Sequence, residues 1–243
     1  MEAIRTVGLT KKYKDVVAVD HLDLSVEEGE LFALLGVNGA GKSTTIRMLS
    51  CLTAPTEGDA FLRGRSICSS AKDVKSMIGL SPQETAVAAG LSVKENLELM
   101  CGAYGLKSEK RRERIAELTE LLGLESVLKK KAGKLSGGWQ RRLSIAMALV
   151  GQPQILFLDE PTLGLDVLAR SDLWKIIKAL KGRVTVILTT HYMEEAEELC
   201  DRVAIMADGR LLAIDTPEGF KQKTGTERFE EAFVKIVKGE VQL

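Results

Sequence analysis

Apolar and polar positions are arranged in three different ways along these 243 residues. Near the start, short apolar runs at Ile4–Val7, Leu22–Val26 and Ala60–Leu62 read as strands of a mixed sheet. Among them, Leu31, Phe32, Ala33, Leu34 and Leu35 form an unbroken apolar run, the pattern of a strand covered on both faces. From about Val93 to Val150 the spacing becomes helical, with Val93, Leu97 and Met100, then Ile115, Leu118, Leu121 and Leu122, then Leu143, Ala146, Met147 and Val150. From Leu156 to Ala213 strands and helices alternate: Ile155–Leu158, a helix through Leu173 to Leu180, Val184–Leu188, a helix after His191, and Val203–Ala207. Such alternation predicts a parallel sheet with helices on both faces. The tail from Pro217 adds helical segments carrying Phe229, Phe233 and Ile236. The fold class expected is therefore α/β, a mostly parallel sheet core with an N-terminal β region and an inserted helical lobe.

Chemistry enters where the Leu31–Leu35 strand ends. Residues 36–44 read Gly-Val-Asn-Gly-Ala-Gly-Lys-Ser-Thr and fit G-x-x-x-x-G-K-[ST]. Gly36, Gly39 and Gly41, with Asn38 and Ala40 between them, let the backbone bend and turn its N–H groups towards phosphate oxygens. A helix opening near Lys42 adds its positive end. Lys42 then reaches the outer phosphates, the Ser43 hydroxyl ligates Mg²⁺, and Thr44 adds a phosphate contact. A second element, Ile155–Leu158 followed by Asp159 and Glu160, is a buried strand that ends in two carboxylates. In parallel sheets ligands gather beyond the carboxyl ends of strands. Asp159 is thus expected to hold Mg²⁺ and Glu160 to act as general base on the attacking water.

Residues 135–166, LSGGWQRRLSIAMALVGQPQILFLDEPTLGLD, resemble the signature, nucleotide strand and following loop of the ATP-binding cassette (ABC) family. The resemblance covers most of the chain and implies a P-loop NTPase core of the RecA-like kind. It implies a single nucleotide-binding domain over 1–243: core and β region over 1–92 and 151–216, helical lobe with the signature over 93–150, helical tail over 217–243. It also gives roles to residues that are ambiguous alone. Tyr13 reads by itself as a strand residue with a wet hydroxyl, Gln83 as part of a turn after Pro82, and His191 as a helix-start residue. In the family's order they match the aromatic stacked on adenine, the glutamine between the two lobes, which contributes to the Mg²⁺ site and to catalysis, and the histidine that holds the γ phosphate. Asp166 matches the nucleotide-contacting loop. His21 matches no motif and is expected to be structural.

Ser136, Gly137 and Gly138 stand where a helix should begin, a serine cap with two glycines that exposes N–H donors to an anion. The resemblance implies that this helix end meets the γ phosphate held by a second copy, so a homodimer encloses two ATP molecules. Trp139 departs from the family, which usually places glutamine or another polar or flexible residue there. A bulky indole could pack on the partner or impede closure.

Composition narrows the surroundings. Basic and acidic residues balance at 34 each, so no global field favours nucleic acid. Lys110, Arg111, Arg112 and Arg114, and Lys129–Lys131, read as solvated faces, with contact to anionic lipid or a membrane partner as the rival reading. Cys51, Cys68, Cys101 and Cys200 lack C-x-x-C spacing and suit a reducing cytoplasm. No apolar stretch approaches the roughly 18–20 residues that cross a bilayer. The resemblance then implies an ATPase (ATP and water to ADP and phosphate) at the cytoplasmic face of the membrane, bound to separate transmembrane permease subunits. The segments from Gly79 to Leu106 and from Phe229 to Gly239 resemble the branch serving multidrug and antibiotic exporters, which points outward. The alternative is a soluble ABC ATPase that remodels a ribosome or nucleic-acid complex. Such proteins normally carry two cassettes or a long coiled coil, features not seen here. A GTPase would be expected to carry an N-K-x-D motif.

Overall fold

The computed structural model describes residues 1–241 of the chain. They divide into two compact units, one made of Met1–Lys75 and the residues from Lys181 onward, the other of Ser76–Leu180.

The first unit opens with β1 (Glu2–Tyr13), which turns Ile4 and Thr6 inward and Arg5 and Val7 outward, the alternation of a strand with one wet face. It pairs antiparallel with β2 (Val16–Leu22), β3 (Ser25–Glu27) and later β5 (Glu57–Leu62), to which β6 (Arg65–Ser66) is added. The single strand expected over Leu22–Val26 is two. The strand breaks at Asp23, whose carboxylate accepts the Gly8 N–H at 2.6 Å. The Thr6 hydroxyl fixes the crossing by donating to the Leu22 carbonyl at 2.7 Å and accepting from Leu24 N–H at 2.8 Å. Next, β4 (Leu31–Leu35) is buried at every position, as its apolar run predicts. It leads through the glycine loop into α1 (Lys42–Leu49). The backbone passes to the second unit within α2 (Ala71–Met77).

In the second unit β7 (Ile78–Ser81) and β8 (Ile155–Asp159) are parallel, with Ile78 opposite Ile155 and Ser81 opposite Leu158. The apolar pattern hides β7 because Gly79 interrupts it. A Cβ there would lie 2.3 Å from the Ala148 carbonyl oxygen, so the interruption is required by packing. Between these strands come α3 (Val93–Ala103), started by a reciprocal Ser92–Glu95 capping box, α4 (Ser108–Leu121) and α5 (Gly137–Leu149). After β8, α6 (Val167–Ala179) starts well before Leu173, because Asp166 caps it by accepting Ala169 N–H at 2.9 Å.

The basic run on α4 is not one solvated face. Lys110 and Arg112 are exposed, but Arg114 turns onto the end of α5, donating to the Leu149 carbonyl and, at 3.3 Å, to the Val150 carbonyl. These are carbonyls that a helix terminus leaves without intrahelical partners, so the Arg114 guanidinium caps the C-terminal end of α5.

Returning to the first unit, β9 (Thr185–Thr190) and β10 (Arg202–Ala207) flank β4 in parallel, with Ala33 between Leu188 and Val203; α7 (Met193–Leu199) joins them. The alternation read through Ala213 is corrected at its end, where β11 (Arg210–Asp215) runs antiparallel to β10. Asp208 and Gly209 both adopt positive φ (+47° and +78°), the two-residue turn that Asp-Gly favours. Finally α8 (Pro217–Thr224) and α9 (Phe229–Val237) pack through Phe220 and Phe229, ring centroids 6.0 Å apart, with Phe233 and Ile236 buried as their spacing predicts.

Candidate functional site

In the first unit the loop between β4 and α1 is shaped by contacts that only glycine permits. A Cβ on Gly36 would sit 2.3 Å from the Met206 carbonyl oxygen, and one on Gly41 would sit 2.5 Å from that of Ala18. Gly41 is also the N-cap of α1 in left-handed backbone, φ +96°. Gly41 has no side chain with which to cap α1, and the first turn of the helix carries no acidic residue, so the positive end of its dipole is not offset by an acid of its own first turn, an arrangement that favours an anion. Lys42 is buried, and its ammonium donates to the loop's own carbonyls, Gly36 at 2.7 Å and Val37 at 3.2 Å. Asn38 and Gly39 form the exposed tip; Ala40 is buried, and Ser43 and Thr44 are half-buried at the head of the helix.

Two further residues singled out by sequence lie in this unit. His191 directly follows β9, whose last carbonyl, Thr190, accepts Gly36 N–H at 3.4 Å. The strand carrying His191 is therefore tied to the first glycine of the loop, and the His191 ring lies 4.1 Å from that of Tyr192. Tyr13, a residue 44% exposed, ends β1 with the Lys11 ammonium 5.1 Å over its ring. His21, expected to be structural, is mostly exposed and pairs through Nδ1 with Asp20 at 2.6 Å. Asp20 also binds Arg210, so the link joins β2 to β11.

In the second unit Asp159 ends the buried strand β8, and Glu160 follows at φ +48°, a left-handed conformation that costs a non-glycine residue about 1–2 kcal/mol. The turn closes on its own backbone, with Leu163 N–H on the Glu160 carbonyl at 3.2 Å and Leu165 N–H on that of Thr162 at 3.1 Å. Strain of this kind at a carboxylate motivates a functional reading.

The signature helix α5 does begin at Gly137 after Ser136 in extended backbone, but the serine hydroxyl makes no capping bond, a correction to the expected serine cap. Like α1, α5 has no acid in its first turn. By contrast, α3, α7, α8 and α9 each carry one or two. Gly138 has a packing reason as well, since a Cβ there would lie 3.1 Å from that of Ala169. Trp139 folds back along its own helix, its ring 4.8 Å beneath the Arg142 guanidinium, which in turn binds Asp172 at 3.1 Å.

Sequence reasoning passed over Arg141. Nearly fully buried, it donates to the carbonyls of Pro82 and Gln83, both at 2.6 Å, and so fixes the loop that bears the exposed Gln83 side chain. Its place inside the signature stretch was the available signal. Farther along the helical lobe, a cleft of about 380 Å³ opens between Tyr104, Leu106, Lys110, Arg114, Val150 and Gln152.

A glycine-built phosphate loop, a strand ending in two carboxylates and a glycine-headed helix make a strong combination, and the comparison with known proteins decides the family. The profile of the ABC transporter family matches residues 19–163. This chain belongs to the ABC transporter family. Among curated members it is 39% identical over 241 residues to the probable multidrug ABC transporter ATP-binding protein YbhF of Escherichia coli (strain K12), covering 96% of this chain and 41% of that protein. The chain thus spans less than half of that relative's length. It is 43% identical over 225 residues to the daunorubicin/doxorubicin resistance ATP-binding protein DrrA of Streptomyces peucetius, covering 92% of this chain and 68% of that one. A solved dimeric structure, the post-hydrolysis state of an ATP-binding cassette bound to ADP and Pi, superposes with TM-score 0.79 at 28% identity, covering 88% of this chain and 98% of that one. This ABC family member is accordingly an ATP-binding cassette with the P-loop NTPase fold.

Proposed function

We propose that this chain is the ATPase subunit of an ABC transporter, that it dimerises around two ATP molecules, and that it powers export by separate membrane subunits. The observation that carries this reading is the pair of helices α1 and α5. Gly41 is the N-cap of α1 and Gly137 the first residue of α5, the N-cap residue of neither helix makes a side-chain capping bond, and neither helix has an acid in its first turn.

On this reading α1 donates its N–H groups to the phosphates, and Lys42 exchanges the Gly36 and Val37 carbonyls for phosphate oxygens. The open end of α5, with Ser136, Gly137 and Gly138, donates to the γ phosphate held by the other copy. Asp166 stands beside it. Val167 and Leu168, 72% and 80% exposed at the head of α6, supply apolar area for that contact. Glu160 takes a proton from water as its oxygen attacks the γ phosphorus; the bond to the bridging oxygen breaks and ADP leaves with the electron pair. His191 donates to the γ phosphate, and the free face of Tyr13 stacks on adenine. The Ser43 hydroxyl, the Asp159 carboxylate and the Gln83 side-chain oxygen are hard donors that suit Mg²⁺. When bound, that ion neutralises phosphate charge.

Among the described residues no helix is long and apolar enough to cross a membrane. The membrane path is therefore assigned to partner subunits, which place the chain at the cytoplasmic face and contact the helical lobe from Gln83 to Gly105. The relatives named for multidrug and daunorubicin resistance support the outward direction.

The experiment is to tag the protein in its host, solubilise the membranes gently and identify stoichiometric partners by mass spectrometry. A multispanning membrane protein is expected. Ribosomal or DNA-associated partners without one would replace transport by soluble remodelling and leave the ATPase chemistry standing.

A further inference from the structure

We infer that Arg141 is a positioning residue for Gln83, a rigid link between the nucleotide-facing end of the signature helix and the loop that meets the membrane partner. The inference rests on the ATPase reading above and concerns a residue to which no motif gives a role.

Arg141 lies four residues beyond Gly137, about 6 Å along α5. The residue is only 4% exposed, and its guanidinium spans two successive main-chain oxygens, those of Pro82 and Gln83, at 2.6 Å each. Charge-assisted bonds made in parallel fix direction as well as distance. Because the acceptors are carbonyls, the link sets the path of the loop while the Gln83 side chain stays exposed. The same face of α5 seats the rest of the segment. Ser144 Oγ lies 2.8 Å from Ser81 Oγ, the Ala148 carbonyl abuts Gly79, and Gln140 Oε1 accepts from Thr85 Oγ1 at 3.5 Å. Gln140 is itself held through Nε2 by the carbonyls of Ala132 and Leu135 at 3.1 and 3.3 Å. Displacement of the α5 head by a nucleotide is therefore passed to Gln83 without slack.

The test is a double-mutant cycle of Arg141→Met and Gln83→Ala, read by ATPase kinetics and by hydrogen exchange over residues 83–91. Arg141→Met is expected to lower kcat about tenfold with KM for ATP little changed, since a misplaced group costs turnover rather than uniform binding. The double variant is expected to be no slower than the slower single variant, because each change removes the same contribution. In the non-hydrolysing Glu160→Gln background, ATP is expected to slow exchange over 83–91, and Arg141→Met to abolish that slowing. Losses that multiply, or ATP-linked protection that survives Arg141→Met, would overturn the link. Arg141→Lys, which keeps the cation but replaces the planar fork by a single donor nitrogen, is expected to fall between and serves if the methionine variant does not fold. A parent protein without turnover would strike the ATPase reading and this inference with it. A parent that turns over while the losses multiply would strike this inference alone.

Discussion

Gly39 and Gly41 both adopt positive φ, +85° and +96°, yet they differ in what surrounds them. Nothing lies within 4 Å of a Cβ on Gly39, whereas one on Gly41 would meet the Ala18 oxygen at 2.5 Å. Gly39→Ala should therefore cost only the left-handed backbone, about 1–2 kcal/mol, and Gly41→Ala clearly more. Urea unfolding of both variants checks this, and equal losses would contradict it. Gly39 stands at a variable position of the phosphate-loop pattern, whereas Gly41 was legible because that pattern fixes its position. Arg141 was not, because a guanidinium that binds main-chain carbonyls has no partner residue type to find in the sequence. For Trp139 the geometry supplies what the pattern did not, a place for the indole on its own helix. With its ring under Arg142 on its own helix, Trp139→Gln should turn over ATP at the parent rate, and a clear rise would restore the indole as an obstacle to closure. Partial burial of its sulfur, then the Asp59 carboxylate, push the Cys68 thiol up to about 11. The thiolate is thus scarce below that pH although the residue is exposed. Alkylation of Cys68 should accelerate steadily from pH 7 to 10, and a plateau near pH 8.5 would contradict this.

At the level of helices and strands, legibility followed local chemistry. The helix α8 carries complete signals: Thr216 accepts Gly219 N–H at 2.8 Å, Pro217 follows, and Gly225 closes the end at φ +62°. The strand β4 was equally plain because every position on both of its faces is buried, which demands an unbroken apolar run. The strand β7 escaped because Gly79 serves the close approach of α5, and β11 because its residues are only half-buried. Neither reason is visible in hydropathy. The start of α6 was missed because Val167 and Leu168 face solvent, which broke the apolar period. Asp166 nevertheless caps that helix. Asp166→Ala should lower stability by about 1 kcal/mol in urea unfolding. An unchanged midpoint would show the cap to be dispensable.

Over the protein as a whole, the residues proposed for the nucleotide site are divided along the sequence. Tyr13, the phosphate loop and His191 belong to one compact unit, and Gln83, the signature, Asp159, Glu160 and Asp166 to the other. Sequence order alone brought these residues together, because phosphate loop, signature and carboxylate strand occur in the family's order. The contacts that support them, such as Arg114 on the end of α5, required coordinates. At the centre stands the proposal that ATP joins two copies and that Glu160 releases them by activating water. Light scattering of Glu160→Gln, with and without ATP, is the decisive measurement. The expected result is a 26.5 kDa particle without nucleotide and twice that mass with ATP, with no phosphate released. A variant that stays monomeric in saturating ATP, or that hydrolyses ATP at the parent rate, would contradict it.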